Sequence, residues 1–242
     1  SMQGSDALAG VVNIITRSAD QPLSVRAFIE SGSFDTENSG LSAGINNGRF
    51  DARLGVSYLQ TEGDNVARTG SEKDGYENKN INFKSGWKAN NLLRFGFSAR
   101  QSDGMNEYDA DEDFDGLVDD QDNKSVFKNT AFGLKADYAS KNGKWQHQLL
   151  LSQSKNDNKD FDKNILGTST NSTKDQYRFI GSLFFDGFSR RLSLLIEREK
   201  EIFQQRGTVN DYGIYGIYDP NQDRARHADS IALEYRADIS EK

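Results

Sequence analysis

Between Tyr108 and Asp122 the chain reads Tyr-Asp-Ala-Asp-Glu-Asp-Phe-Asp-Gly-Leu-Val-Asp-Asp-Gln-Asp, with seven aspartates and one glutamate from Asp109 onward. Counted from Asp111, the carboxylates Asp111, Asp113, Asp115, Asp119 and Asp122 fall at loop positions 1, 3, 5, 9 and 12, and Gly116 falls at position 6. That is the register of an EF-hand-type calcium loop. Calcium is a hard cation that takes about six to eight oxygens, and alternate residues of a tight loop point inward to supply them. Gly116 permits the sharp turn, and the Leu117 carbonyl sits at the backbone-ligand position. Two features depart from the pattern: Asp122 replaces the longer glutamate at the last position, and strands rather than helices flank the loop. The other reading is a solvated acidic loop spread by its own repulsion. Crowding these carboxylates together without a cation is costly, so the spacing favours calcium.

Other chemistry is sparse. The chain has no cysteine, which excludes disulfides and thiolate metal sites. Its only histidines, His147 and His227, are far apart, the first fitting a strand and the second a loop edge. There is no nucleophile motif and no glycine-rich phosphate loop, so the expectation is a protein that is not an enzyme. A net charge of −7 argues against nucleic acid as a partner. Tyr212, Tyr215 and Tyr218 cluster with Gly213 and Gly216 in a polar stretch, either as a ligand-contacting surface or as a mobile loop.

The elements that must position these groups show period-2 alternation. Phe50, Ala52, Leu54, Val56 and Tyr58 alternate with Asp51, Arg53, Gly55 and Ser57. Leu93, Phe95, Phe97 and Ala99 alternate with Arg94, Gly96, Ser98 and Arg100. A helix would repeat its apolar face every three or four residues, so these are strands with one greasy and one polar side. Strands are expected at about 23–33, 38–46, 49–62, 77–89, 92–103, 126–140, 144–155, 175–186, 191–205 and 229–239. Short links fall at Asn46-Asn47-Gly48, Asn90-Asn91, Lys141-Asn142-Gly143 and Asp186-Gly187, tight-hairpin chemistry in which Asn-Gly and Asp-Gly are favoured. Long polar links are expected at 63–76, 104–125, 156–174 and 206–228. Alternating short and long connections are the habit of an outer-membrane barrel. Strands of about 9–11 residues suffice to cross hydrocarbon, and Trp87, Trp145, Phe185 and Phe188 near the short turns fit an interfacial girdle. Lumen-side charges such as Arg53, Lys84, Arg94, Arg178 and Glu197 would line the interior. A soluble β-sandwich also alternates and is the competing architecture.

The first residues differ in kind. Gly4-Ser5-Asp6-Ala7-Leu8-Ala9-Gly10-Val11-Val12-Asn13-Ile14-Ile15-Thr16-Arg17 is a glycine-punctuated turn running into a dense apolar stretch. It resembles the end of the plug domain of TonB-dependent outer-membrane receptors, with Gln3 where the family often has tyrosine. The resemblance implies an all-β protein: residues 1–19 as the C-terminal end of the plug, and 20–242 as the N-terminal part of an antiparallel up-and-down transmembrane β-barrel. That would be about ten strands of roughly twenty-two, in the outer membrane of a Gram-negative cell and in contact with its lipid. Within the family the chain looks most like the vitamin B12 (cobalamin) receptors, in which acidic residues of two neighbouring extracellular loops hold calcium. The matching positions are Asp64, Glu72 and Asp74 in the first loop, with Glu72 in place of an aspartate, and Asp109 and Asp122 in the second. The implied partners are cobalamin or another corrinoid, with siderophore or haem as alternatives, and the periplasmic TonB protein through the missing N-terminal part.

Overall fold

The structure, a computed structural model, describes residues 19–67, 69–111, 115–185 and 187–237. The segment Gly4 to Arg17, and with it all of the plug assignment but Ala19, lies outside the described residues. The strands are β1 (Leu23–Gly32), β2 (Thr36–Asn46), β3 (Phe50–Thr61), β4 (Tyr76–Lys88), β5 (Leu93–Ala110), β6 (Asp119–Ala139), β7 (Trp145–Asp162), β8 (Ile165–Phe185), β9 (Arg190–Gly207), β10 (Asn210–Asp211), β11 (Ile217–Tyr218) and β12 (Gln222–Ala237). β1 to β9 and then β12 form one ten-stranded sheet in chain order, while β10 and β11 make a separate two-stranded hairpin. All the pairings are antiparallel. This is an up-and-down meander, not two sheets packed face to face, so the sandwich alternative is set aside.

Each antiparallel register puts like with like. Leu54 stands opposite Phe83, Phe83 opposite Ala99, and Ala99 opposite Phe132. Further along, Leu149 faces Phe179, Phe179 faces Ile196, and Ile196 faces Ile231. The result is a continuous apolar belt whose side chains are exposed, among them Leu54, Phe132, Leu134, Ile196 and Ile231. The other face is polar and more buried. Glu197 is 2% exposed, and Ser193, Asn78, Ser102 and Asp51 are buried with it, whereas the buried apolar residues among those described are Ala19 and Leu195. One recess on the polar face is lined by residues from Arg53 on β3 to Gln176 on β8. A single recess touching six successive strands requires the sheet to curve toward its polar side. A polar concave face inside an apolar convex belt is the arrangement of a barrel wall that meets hydrocarbon outside.

At the short-turn end, aromatic rings form a row. Trp87 stacks on Phe95 at 5.8 Å between ring centroids, Phe185 on Tyr235 at 6.2 Å, and Phe184 lies 5.9 Å from Phe188. His147 belongs to this row, between Tyr138, Trp145 and Phe179. On the concave face, cations meet carboxylates across strands: Arg94 with Asp51 at 2.6 Å, Arg191 with Glu234 at 2.9 Å, Lys174 with Glu199 at 3.2 Å, and Arg178 with Glu197.

The four short links are turns as expected, but two of the expected long links are largely strand. β7 and β8 run on to a two-residue turn at Lys163 (φ 47°) and Asn164 (φ 65°), so 156–174 is not a loop. β5 and β6 likewise extend into 104–125, leaving only 111–118 between them. Beyond the apolar belt both faces of a strand meet water, so nothing demands alternation there, and the ladder is joined by polar side-chain bonds such as Ser125 and Thr168 to Asp160. His227 lies within β12 opposite Lys200 rather than at a loop edge.

The pair of Arg178 with the buried Glu197 yields a test. Replacing Arg178 with Met leaves the Glu197 carboxylate buried with only Gln176 to donate to it. Removing one partner of such a pair costs about 3–5 kcal/mol, and replacing both with apolar residues recovers most of it. Urea titration followed by tryptophan fluorescence should show Arg178→Met strongly destabilised and Arg178→Met/Glu197→Leu close to the parent.

Candidate metal centre

At the end of the sheet away from the short turns, the β3–β4 link (62–75) folds against the start of β6. Its neck is closed by Gly63, whose φ of +70° and close approach (an added Cβ would lie 1.9 Å from the Asp74 carbonyl oxygen) require glycine. The Asp74 amide donates to the Asp64 carbonyl at 3.3 Å, and the Glu107 amide on β5 donates to the Gly75 carbonyl at 2.8 Å.

Two aspartates from the second hairpin hold the loop from the other side. Asp120 accepts from Asn65 Nδ2 at 2.9 Å and from the Ser71 amide at 3.1 Å. Asp109 accepts from the Ala67 amide at 3.1 Å and from the Gln121 amide at 2.8 Å. Gly70 packs so tightly on Asp120 that an added Cβ would meet its Oδ2 at 1.5 Å. Carboxylate oxygens of Glu72, Asp109 and Asp120 consequently lie within 4.8 Å of one another. Asp74 joins them, its Oδ2 accepting from the Val66 amide at 3.2 Å.

The electrostatics point to something positive at this spot. Among the described residues, buried oxygens without a hydrogen-bond partner include Asn65 Oδ1, Glu72 Oε2 and Asp74 Oδ1, all in this cluster. Leaving a buried acceptor unsatisfied costs about 1–3 kcal/mol each, more when the group is charged. Burial, followed by repulsion from Asp74, Asp109, Glu107 and Asp120, pushes the Glu72 carboxyl up to about 7. Burial also raises Asp74, partly countered by the Val66 amide, with Asp109 adding to the rise. The donors are all oxygens, carboxylate and amide, the set a hard divalent cation such as calcium takes. Glu72, Asp74, Asp109 and Asp120 would hold such an ion, with Asn65 Oδ1 as a neutral ligand.

Of the residues expected from sequence, the structure brings together Glu72, Asp74 and Asp109. Asp64 is at the loop neck with its carboxylate on the Asn65 amide. Asp111 accepts from the amides of Asp115 and Gly116, and Asp115 from that of Leu117, turn contacts within the insert. Asp113 lies outside the described residues. Asp119 opens β6 opposite Ala110, and Asp122 accepts from Asn164 at 2.6 Å. Asp120 is the member that sequence reasoning missed. The β5–β6 ladder is irregular here: between the pairs Tyr108–Asn123 and Ala110–Asp119, Asp109 alone faces Asp120, Gln121 and Asp122. Such a bulge re-aims side chains, and nothing in a run of aspartates reveals which one it selects.

Calcium binding can be read by titration calorimetry. Asp109→Asn and Asp120→Asn should each lower affinity by at least about tenfold, or 1.4 kcal/mol, whereas Asp122→Asn should leave it within about twofold. The pH dependence follows from Glu72. Its folded-state pKa is raised, so the loops keep its proton between about pH 4.5 and 7 and, without a cation, lose stability as pH rises through that window. A bound cation replaces the proton, so calcium affinity should climb between pH 5 and about 7 and then level off.

The chain matches no family model and no curated protein. Solved structures do resemble it. The siderophore receptor PiuA from Acinetobacter baumannii aligns with a TM-score of 0.67 at 14% identity, covering 96% of this chain and 42% of the receptor. The ferric citrate transporter FecA in its unliganded form aligns at 0.52 and 9% identity, covering 92% and 38%. BauA, the ferric preacinetobactin receptor from Acinetobacter baumannii, aligns at 0.50 and 11%, covering 88% and 40%. The chain thus spans about two fifths of the length of the receptors it matches. What is shared at these identities is the fold: the ten-stranded meander is built like part of a receptor barrel. The proteins with which it shares that fold are receptors and transporters.

Proposed function

We propose that the chain is part of a TonB-dependent outer-membrane receptor that captures a scarce, large ligand at its outer face, with calcium ordering two neighbouring loops before the ligand arrives. One observation carries this reading: at the end of an apolar-belted meander, away from its short turns, Glu72, Asp74, Asp109 and Asp120 converge from adjacent hairpins with buried oxygens left unsatisfied. Ordering the loops in advance lowers the entropy lost on binding. The ion is structural in this role, and uptake would need no covalent chemistry. The protein would sit in the outer membrane, its belt in lipid, with TonB as its periplasmic partner.

For the ligand, cobalamin or a related corrinoid is the first reading, because acidic residues on two neighbouring loops at Asp64, Glu72, Asp74, Asp109 and Asp122 resemble the cobalamin receptors. A siderophore is the second, favoured by the likeness in fold to PiuA and BauA. The hairpin of β10 and β11, with the 3-10 turn Gly213–Tyr215 between them, presents Tyr212, Tyr215 and Tyr218 to solvent, where rings can pack on a bulky ligand.

Fractionation and calorimetry test these claims together. The full-length protein should remain with outer membranes through a carbonate wash and need detergent for release; recovery from the aqueous fraction would end the receptor reading. Cyanocobalamin should bind with calcium and bind at least about tenfold more weakly in chelator, since binding then includes the cost of ordering the loops. Calcium-independent binding of a ferric siderophore in its place would select the second reading.

A further inference from the structure

On the convex face the apolar belt gives way to charged residues toward the end that carries the metal centre. Several cations there have a carboxylate of their own: Arg198 meets Asp229 at 2.7 Å, Arg206 meets Asp223 at 2.8 Å and Lys79 meets Glu77 at 2.5 Å. β6 and β7 depart from that pattern. Above Phe132 and Leu151, the residues sharing the belt's face are Thr130, Lys128, Val126 and Lys124 on β6, and Gln153, Lys155, Asp157 and Lys159 on β7. Four lysines thus surround one aspartate, in a chain of net charge −7. Asp157 stands opposite Lys128 in the ladder and accepts from the Asn171 side chain. Lys128 comes no closer than 4.0 Å to Asp103 on β5. Lys124 is bonded to the neutral side chain of Asn164, with its ammonium 5.7 Å from the centre of the Phe161 ring. Lys155 and Lys159 are exposed and make no hydrogen bond or ion pair among the described residues.

Spacing along the strands sets the heights at which these charges stand. Lys128 lies four residues beyond Phe132, and Lys155 four beyond Leu151. At about 3.4 Å per residue and a strand tilt of about 40°, that is roughly 10 Å past the last apolar side chains. Lys124 and Lys159 stand roughly another 10 Å further out. The headgroup layer of a phospholipid is only about 5–8 Å deep. A lysine stem reaches down into that layer from the lower pair, with its charge kept in water. The upper pair stands clear of it. A headgroup of linked sugars, with phosphates at more than one height, spans both.

We propose that the outward face of β6 and β7 docks a multiply phosphorylated glycolipid of the outer leaflet. Its acyl chains lie on the belt at Phe132, Leu134, Leu149 and Leu151, and its phosphates on Lys128 and Lys155 below and Lys124 and Lys159 above. Charge complementarity selects the phosphates. Continuity with the belt selects a lipid over a soluble anion, since Thr130 and Gln153 alone separate the lower lysines from Phe132 and Leu151. Cations beside a membrane surface each add to the hold on an anionic headgroup, and the gain falls off within a Debye length. The proposal rests on the receptor reading only for the belt's place in an outer membrane; the metal centre takes no part in it.

Native mass spectrometry of the full-length protein in detergent, titrated with rough lipopolysaccharide whose core sugars carry phosphate, tests this. The protein should bind that lipid at least about tenfold more tightly than the same lipid dephosphorylated with hydrofluoric acid. It should show a similar preference, about tenfold or more, over phosphatidylglycerol, which has a single phosphate. Lys155→Gln/Lys159→Gln should lower the affinity by at least about tenfold. Arg198→Gln/Asp229→Asn, a pair on the same face whose charge is already balanced, should leave it within about twofold. Heat-modifiable gel mobility shows whether each variant is folded; should the double lysine variant not fold, Lys155→Gln alone should weaken binding about fivefold. Equal binding of the dephosphorylated lipid or of phosphatidylglycerol, or an affinity unchanged in the lysine variants, would overturn the proposal. So would displacement of the lipid by inorganic phosphate, which would mean a site for the free anion. Recovery of the protein from the aqueous fraction ends the receptor reading before any lipid is added, whereas failure of these titrations leaves fractionation and calcium binding untouched.

Discussion

The backbone ladder between neighbouring antiparallel strands is the interaction on which everything else depends. Among the described residues there is almost no apolar core: Leu195 and Ala19 are its buried apolar members, while the large apolar side chains point outward and are exposed. A water-soluble domain of this length would rely on burying such groups against one another. Here cohesion comes from continuous hydrogen bonding along ten strands. Such bonding matters most where no water competes for an amide, because in hydrocarbon each unsatisfied backbone group costs several kcal/mol. The polar face adds cross-strand ion pairs, among them that of Arg178 with the buried Glu197, where losing one partner costs more than losing both.

The same ladder delivers the acidic cluster. Hairpins that follow one another in a meander have their turns at the same end, so the β3–β4 link and the start of β6 are neighbours without any packing between domains. Strand pairing brings them close, and three hydrogen bonds from the link, donated by Asn65 and Ser71 to Asp120 and by Ala67 to Asp109, fix the approach. Each of these bonds draws a carboxylate into the space where Glu72 already sits, and burial, followed by repulsion from Asp74 and Asp109, pushes the Glu72 carboxyl up. The sheet thus holds in place the carboxylates that the β3–β4 link gathers.

Much of the fold was legible because the apolar belt imposes a strict period of two. Phe95, Phe97 and Leu54 could only be outward-facing once Arg94 and Asp51 were inward. The four short turns were visible through their asparagine and glycine residues. Legibility ended where the belt ended. In β7 and β8 the stretch from Asn156 to Lys174 is strand, yet with water on both faces its polar residues carry no alternation, and its turn at Lys163-Asn164 lacks glycine. Asn164 is tolerated at positive φ because its short polar side chain can hydrogen-bond locally.

The sequence by itself determined which side of each strand is greasy, where the tight turns fall, and that acidic residues from two links lie at one end, since these follow from residue type and period alone. Only the tertiary structure decided which carboxylates meet. Asp111 and Asp115 satisfy their own turn and Asp122 reaches Asn164, while Asp120 is turned toward Glu72 and Asp109. The reason is the irregular register between β5 and β6, where one residue faces three. A register shift is a property of two paired strands, and neither strand's sequence records it.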